Sequence, residues 1–235
     1  CVHTSVDTAG TSARATKPMR RSLTPEIMDG PDVSESMMRI FHRDLKLINS
    51  LLGNMSAIVD RLKRDPPRSV LDIGCGGGVL LDRIRKELGA TVTGVDLRVP
   101  ATDTYGISIV AADATRDPLP QADAAVSMLL LHHLSEAQAI DVIRNAGRSC
   151  RRFVCLDLVR HPLPIVLYTA FICPFVSKEA ALDGRQSIRR AFTPAELRSL
   201  TERALEGTGA TFEHWVSPIS ARQIIDITYR PVSWS

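Results

Sequence analysis

Ten residues decide the fold of this chain: Ser69-Val70-Leu71-Asp72-Ile73-Gly74-Cys75-Gly76-Gly77-Gly78. Their apolar first half predicts a buried strand, and their glycine-rich second half predicts a tight turn. A helix is predicted directly after the turn, because apolar residues recur there at helical spacing, at Leu80, Leu81, Ile84 and Leu88. Glycines let backbone N–H groups approach a ligand closely, and a helix N-terminus favours an anionic group. The stretch therefore predicts a ligand site where the strand ends.

A carboxylate closes the next predicted strand, which runs from Thr91 to Asp96. Nucleotide-binding folds place such an acid about 20 residues beyond the glycine turn, where it hydrogen-bonds to ribose hydroxyls. Asp96 has this spacing from Gly76. Together, the glycine turn and the acid predict a site for an adenosine-bearing cofactor.

The spacing of the glycines distinguishes between cofactors. A dinucleotide fold requires G-x-G-x-x-G, but the residue at the third glycine position is Val79. The pattern present is Asp72-x-Gly74-x-Gly76-x-Gly78. It resembles the first motif of the class I S-adenosylmethionine-dependent methyltransferases, in which an acidic residue precedes G-x-G-x-G.

Further segments match the same family in the same order, so the resemblance covers about residues 68 to 230. These segments are Ala111-Ala112-Asp113-Ala114, the strand 124–129 with the loop 130–134, and the strand 152–157. The resemblance implies S-adenosylmethionine as the cofactor. It also implies ten cofactor-binding residues: Asp72, Gly74, Cys75, Gly76, Gly78, Asp96, Leu97, Asp113, Ala114 and Leu129. Among them, Asp72 is expected near the methionine ammonium group, Asp96 at the ribose and Asp113 at the adenine.

Strands and helices alternate through most of the chain, which predicts an α/β fold with a parallel sheet. The resemblance implies a Rossmann-like, seven-stranded, mostly parallel sheet with helices on both faces. Ahead of it, a capping box at Asp32–Glu35 begins a helix that ends at Gly53, and a short helix follows at about 55–62. We therefore expect an N-terminal helical cap over residues 19–65 and a methyltransferase domain over residues 66–235.

Three other features of the chain complete the predicted organisation. Residues 1–18 are polar, and we expect them to be disordered or derived from the expression system. Segment 161–192 follows the fifth strand and mixes apolar with polar residues, which favours a substrate lid or wall, together with the N-terminal helix, at the edge where ligands bind. A helix packed on the sheet without ligand contact is the alternative. The last two strands are predicted at about 211–216 and 223–229. Apolar residues occupy alternate positions in the second of these strands, which favours a sheet with one polar face.

The likeness within the superfamily is greatest to the small-molecule branch that includes the ubiquinone and menaquinone biosynthesis methyltransferases. Segments 21–49 and 187–197 also resemble bacterial methyltransferases associated with polyketide-derived phenolic products. The fourth strand leads into Ser127-Met128-Leu129-Leu130, without the Asn/Asp-Pro-Pro-aromatic motif of amino-methylating enzymes that act on macromolecules. No cluster of metal-binding Asp and Asn is visible there either. These absences favour a metal-independent enzyme for a small molecule.

We therefore expect methyl transfer to a small, apolar acceptor of the phenolic, quinol or polyketide-like kind. The residues do not separate O- from C-methylation. An rRNA, tRNA or protein methyltransferase is the second reading, and a concentrated basic face would favour it. A catalytically silent S-adenosylmethionine-binding protein is the third reading, and loss of an acceptor cavity would favour it.

Two histidines after the fourth strand, His132 and His133, are the candidates for a catalytic base. A phenol has a pKa of about 10, so its O-methylation benefits from a base that works near neutral pH. A structural role for either histidine, or catalysis by positioning alone, remains an alternative. Five further residues are candidates for binding the acceptor: His42, His161, Tyr168, Arg189 and Arg190. For the two arginines, a salt bridge and a solvated surface are the alternative.

Composition restricts the possible partners and compartment. The 235 residues carry a formal net charge of +3, and the arginines are scattered, which argues against nucleic acid as a partner. The five cysteines are odd in number and form no C-x-x-C pair, which favours reduced thiols in a cytoplasmic protein. The longest apolar run, residues 163–176, contains two prolines and falls short of the roughly 20 residues that span a bilayer. The oligomeric state cannot be predicted.

Overall fold

The computed structural model describes residues 19–30, 33–99 and 105–230, so the predicted tail at 1–18 lies outside the described residues. The helices are α1 (Glu35–Leu52), α2 (Asn54–Leu62), α3 (Val79–Leu88), α4 (Glu136–Ser149), α5 (Pro162–Phe171), α6 (Lys178–Arg190) and α7 (Pro194–Leu205). The strands are β1 (Ser69–Ile73), β2 (Thr91–Asp96), β3 (Ser108–Ala111), β4 (Ala124–Met128), β5 (Arg152–Leu158), β6 (Thr211–Val216) and β7 (Arg222–Thr228). Short 3₁₀ turns lie at Ile27–Asp29, Leu131–His133 and Cys173–Phe175.

All seven strands form one sheet, in the order β3-β2-β1-β4-β5-β7-β6. The first five strands are parallel, and β7 runs antiparallel to both β5 and β6. The chain order reverses between β1 and β4, and open α/β sheets bind their ligands outside the carboxyl ends of the strands at such a point. The glycine turn after β1 lies there. The predicted seven-stranded, mostly parallel fold is confirmed.

Side-chain caps fix the starts of α1, α4 and α7. Oγ of Ser34 accepts from the amide of Met37 at 3.2 Å, so the N-cap of α1 is Ser34 and not the predicted Asp32. Gly53 ends this helix in the left-handed conformation, as predicted. Helices α4 and α7 begin with reciprocal capping boxes at Ser135 and Thr193.

Each face of the sheet is covered by its own apolar layer. Helices α4 and α7 cover one face, with Ile143 and Leu197 fully buried, and α2 and α3 cover the other, with Leu62 and Leu81 fully buried. Burying one such side chain stabilises the fold by roughly 1.5–3 kcal/mol.

Strand β7 lies between β5 and β6, and one detail of its pattern differs from the prediction. Ile225 is buried in the layer of α4 and α7, whereas Ile224 is buried on the opposite face, in the layer of α2 and α3. The face predicted to be polar is therefore partly apolar, because an interior strand is covered on both sides.

A third, smaller apolar cluster joins the N-terminal cap to segment 161–192. It contains Ile48 of α1, Tyr168 and Ile172 at α5, and Ile188 of α6. Segment 161–192 thus forms two helices that pack against α1 at one end of the sheet. Among the described residues, no helix is both long and apolar enough to cross a membrane.

Candidate cofactor and acceptor site

The turn after β1 is built from glycines in the left-handed region. Gly74, Gly76 and Gly78 have φ values of 76°, 50° and 77°. Gly74 is also crowded, because a Cβ there would lie 3.0 Å from a methyl group of Leu130. A Cβ on Gly76 or Gly77 would meet nothing within 4 Å. The backbone at these two positions therefore faces open space that a ligand can occupy.

Cys75 turns away from this space and packs against β2. A Cβ on Gly94 of β2 would lie 2.5 Å from Sγ of Cys75, so the two residues fit only because position 94 has no side chain. Burial raises the pKa of the Cys75 thiol, with smaller effects from the carboxylates of Asp72 and Asp96. This thiol is therefore a packing group and not a reactive one.

Asp96 ties the end of β2 to the glycine turn. Its Oδ2 accepts from the amide of Gly76 at 2.8 Å, and its Oδ1 accepts from the amide of Arg98 at 3.0 Å. Leu97 follows with 69% of its surface exposed, at the same edge of the sheet. The acid and the turn are thus preformed as one unit.

Asp72 is the most unusual carboxyl group of this edge. It is 2% exposed, and its Oδ1 has no hydrogen-bond partner among the described residues. Burial, and to a lesser extent the charge of Asp96, raises the pKa of Asp72 to about 8. An orphaned, buried carboxyl oxygen fits a ligand that brings a positively charged hydrogen-bond donor.

Two further cofactor candidates lie after β3. Oδ1 of Asp113 accepts from the hydroxyl of Thr115 at 2.6 Å and from its amide at 3.0 Å, and these bonds lower the pKa of Asp113. The carbonyl of Ala114 accepts from the side-chain amide of Asn145 at 2.9 Å. This turn is therefore held in a defined shape beside β2.

Leu129 follows β4 and has a φ of 62°, which is uncommon for a residue with a side chain. Its amide donates to the carbonyl of Leu156 at 2.8 Å, which holds it there. Such backbone positions cost about 1–3 kcal/mol and concentrate at functional sites. The sharp bend directs the chain from the sheet edge into the turn that carries the two histidines.

His132 is hydrogen-bonded to one carboxylate at the end of β5. Its Nδ1 lies 2.6 Å from Oδ1 of Asp157, and its amide donates to Oδ2 at 2.9 Å. Burial opposes ionisation of Asp157, but the charge and hydrogen bonds of His132 hold the pKa of this carboxyl below its usual range. Because an ionised carboxylate only accepts, Nδ1 of His132 carries a proton in this contact. Asp157 is a residue that the sequence analysis did not single out.

Glu26 was also missed, and no motif or periodicity in the sequence points to it. It belongs to residues 19–30, which cross over the histidine turn and which we call the N-terminal strap. Oε1 of Glu26 lies 3.7 Å from Nε2 of His132 and 4.0 Å from Nδ1 of His133. Glu26 and His132 are both nearly sealed from solvent, whereas the His133 side chain is 25% exposed.

The same three side chains are the described residues that could hold a metal ion. Their ligand atoms all lie within 4.8 Å of one another. However, Nε of Arg190 lies 3.9 Å from Oε1 of Glu26, and this positive charge opposes the binding of a cation. Metal-independent transfer thus stays a prediction.

The strap is fastened on both sides of Glu26. On one side, the Arg21 guanidinium lies 3.8 Å above the Phe192 ring and donates to the carbonyl of Leu134 at 2.7 Å. On the other, the Asp183 carboxylate accepts from the amides of Ile27 and Met28 at 2.7 and 2.9 Å. These contacts place a carboxylate from the N-terminal cap against the histidine turn.

Of the acceptor candidates whose side chains the structure describes, Arg190 is the one that contacts this turn. Its guanidinium donates to the carbonyls of His132 and His133 at 3.2 and 2.8 Å, so it stabilises the backbone of the turn. Arg189 is exposed, and its carbonyl accepts from Ser22 of the strap. These positions match the alternative reading of the arginine pair as part ion pair and part surface.

The other acceptor candidates lie elsewhere. Tyr168 is buried and donates to the carbonyl of Ala180 at 3.1 Å, so its hydroxyl serves the contact between α5 and α6. His161 is exposed, and its Nδ1 accepts from the amide of Leu163, which makes it the N-cap of α5. His42 is part of α1, and its side chain lies outside the described part of the structure.

Comparison with known proteins adds independent findings. Residues 70–152 match the family described as "Methyltransferase domain". The ubiquinone biosynthesis O-methyltransferase of Dinoroseobacter shibae is 29% identical over 57% of this chain and 58% of its own length, so the chain spans less than two thirds of that relative. The enzyme of the same name from Shewanella pealeana is 24% identical over 71% of this chain and 69% of its own length.

Solved structures with the same fold include two methyltransferases. The plantazolicin methyltransferase BpumL in complex with SAH is 16% identical, with a TM-score of 0.64 over 84% of this chain and 91% of that chain. Human N-acetylserotonin methyltransferase in complex with SAM is also 16% identical, with a TM-score of 0.57 over 90% of this chain and 63% of that chain. At this identity the likeness concerns the fold alone.

Proposed function

On the premise that this chain belongs to the class I S-adenosylmethionine-dependent methyltransferases, we propose that it methylates a hydroxyl of a small, apolar acceptor. A phenolic, quinol or polyketide-like framework is the class proposed. The observation that carries this proposal is the position of a buried carboxylate–histidine turn beside the glycine turn, at one edge of the sheet. The O-methyltransferase names of the sequence relatives support oxygen as the nucleophile.

On the donor side, we propose that the preformed edge of β1, β2 and β3 holds the cofactor. Asp72 binds the methionine ammonium group, because its orphaned oxygen is buried and needs a charged donor. Asp96 binds the ribose and Asp113 the adenine, while the backbone of the glycine turn borders the methionine. The backbone of Cys75 and the residues Leu97, Ala114 and Leu129 complete the walls of this site.

S-adenosylmethionine supplies an electrophilic methyl group on a positively charged sulfur. An acceptor oxygen forms the new bond to carbon, and the carbon–sulfur bond electrons return to sulfur. Holding the two partners in line is the main task of the protein, and oriented proximity can lower such a barrier by roughly 7–11 kcal/mol. The sulfonium charge is neutralised, so only the hydroxyl proton still needs an acceptor.

We propose His133 as the group that receives this proton. Of the two histidines, His133 is the one with an exposed part, whereas His132 is 3% exposed and faces Glu26 and Asp157. The proton passes from the acceptor hydroxyl to the His133 ring and leaves to solvent after turnover. His132 holds the shape of the turn through its two bonds to Asp157.

On the acceptor side, we propose that α1 and segment 161–192 form the wall of the pocket. The apolar cluster of Ile48, Tyr168, Ile172 and Ile188 supports this role, because it packs α1 against segment 161–192. Helix α5 also leaves Leu163, Val166 and Phe171 exposed, which is more apolar surface than an ordinary connection presents.

The test is transfer of labelled methyl from S-adenosylmethionine to a panel of phenols and quinols, with and without EDTA. We expect at least one phenol or quinol to be labelled on oxygen, with EDTA having no effect. Labelling only of RNA or protein would contradict the proposal, as would activity that EDTA abolishes and magnesium restores.

A further inference from the structure

We infer that Glu26 is a positioning residue for the acceptor-side histidines, so that the N-terminal strap completes the active site. The inference rests on the proposed function, in which His133 receives the acceptor proton. It goes further by assigning a role to a carboxylate that lies outside the methyltransferase motifs.

Glu26 places a buried carboxyl group against the histidine turn. Its side chain is 3% exposed, and Oε1 lies within 4.0 Å of a ring nitrogen on each histidine and 3.9 Å from Nε of Arg190. A buried carboxylate is costly unless positive charge or donors face it. The two imidazoles and the guanidinium are among the groups that face it.

The strap is also attached by contacts that do not involve the Glu26 carboxylate. Asp183 holds the amides of Ile27 and Met28, and Arg21 is held by Phe192 and the Leu134 carbonyl. Contacts of neighbouring residues therefore already attach the strap to the rest of the protein. The proximity of Glu26 to both imidazoles is therefore the basis for assigning it a role in their orientation and charge.

The charge of Glu26 matters when a proton arrives. An imidazole that accepts the hydroxyl proton becomes a cation, and a carboxylate 4.0 Å away stabilises that cation. The stabilisation is larger in a site with little water than at the surface. Arg190 shares the carboxylate and reduces its effect without removing it, because Arg190 also donates to the carbonyls of His132, His133 and Thr24.

The experiment compares Glu26→Gln, which removes the charge, with Glu26→Asp, which keeps it. Glu136→Gln is the matched control, because Glu136 is 60% exposed and lies three residues beyond His133. Three quantities are measured: kcat and KM with a phenol or quinol from the panel, S-adenosylhomocysteine affinity by calorimetry, and the histidine ring nitrogen signals by NMR without acceptor.

We expect Glu26→Gln to lower kcat by about tenfold or more, in line with the loss of part of a general-base effect. Its S-adenosylhomocysteine affinity should stay within about twofold, since the donor site lies on other elements. The ring nitrogen signals of His132 and His133 should shift. Glu26→Asp should recover part of kcat, and Glu136→Gln should match the unaltered protein.

An unchanged kcat in Glu26→Gln would overturn the inference, as would unchanged ring signals. Parallel loss of kcat, cofactor affinity and thermal stability, without recovery in Glu26→Asp, would reduce Glu26 to a structural residue and also overturn it. If the unaltered protein methylates no phenol or quinol, the proposed function fails, and the ring signals alone then decide whether Glu26 acts on the histidines.

Discussion

The amide of Gly76 donates a 2.8 Å hydrogen bond to Oδ2 of Asp96, which joins the glycine turn to the acid at the end of the next strand. Two elements that are 20 residues apart in sequence are thereby held in one geometry before any ligand arrives. Preorganisation of this kind reduces the ordering cost of binding. The proposed donor half of the site is therefore preformed, whereas the proposed acceptor half includes contacts from the strap.

Replacing Asp96 tests the ribose contact. Asp96→Ala removes a charged acceptor and also frees the Gly76 amide, so we expect S-adenosylhomocysteine binding to weaken by about 1–3 kcal/mol. Calorimetry measures this change directly. Asp60→Ala, which alters an exposed acid on α2, is the control and should bind normally. Equal affinities of the two variants would remove Asp96 from the site.

Asp72 predicts a particular pH dependence of stability. Its pKa is raised from 3.8 to about 8, so the folded protein holds a proton that the unfolded chain releases near pH 4. The contribution of this group is fully present below about pH 4 and is lost as the pH rises towards 8, by at most about 1.4 kcal/mol per pH unit. Asp72→Asn does not titrate and should lack this trend.

Urea unfolding of both proteins between pH 5 and 8 gives the comparison. We expect the unfolding free energy of the unaltered protein, relative to that of Asp72→Asn, to fall steadily over this range. Parallel curves for the two proteins would mean that Asp72 is ionised throughout.

The contact between Gly94 and Cys75 predicts a size limit at the turn. Gly94→Ala places a Cβ 2.5 Å from Sγ of Cys75 and 3.2 Å from Ile109, so overpacking should destabilise the fold by about 1–3 kcal/mol. The double variant with Cys75→Ala should recover most of this loss, as unfolding by urea can measure. Gly77→Ala is the control, because its Cβ meets nothing. No recovery in the double variant would mean that Cys75 is not the obstacle.

The features of the site that could be predicted from sequence are local ones. The strand–turn–helix at 69–88 and the acid at the end of β2 each depend on residues close together in the chain. Periodicity and capping rules act on such short stretches. That is why the strand positions were predicted within one or two residues.

The acceptor side could not be predicted because it is made of long-range contacts. His132 and Asp157 are 25 residues apart, and Glu26 reaches the histidines from a strap without regular pattern. Helix α5 is apolar on nearly every side, so periodicity did not reveal that Tyr168 faces inward. His161 was expected at the acceptor and is instead used as a helix cap.

Removing the strap tests whether it completes the active site. A protein shortened by residues 1–30 should bind S-adenosylhomocysteine within about threefold of the full chain, because the donor site lies on β1, β2 and β3. Its methyl transfer to a phenol of the panel should fall by tenfold or more. A protein shortened by residues 1–18 keeps the strap and serves as the control. Equal turnover by both shortened proteins would exclude the strap from the site.

The most direct test of the donor site is calorimetry of the full chain with S-adenosylhomocysteine and, separately, with NAD. Val79 stands where a dinucleotide fold has its third glycine, and the orphaned oxygen of Asp72 suits an ammonium group that NAD lacks. We predict one S-adenosylhomocysteine bound per chain and no measurable heat with NAD. A measurable heat of binding with NAD, and none with S-adenosylhomocysteine, would contradict the assignment of this edge as a methyl-donor site.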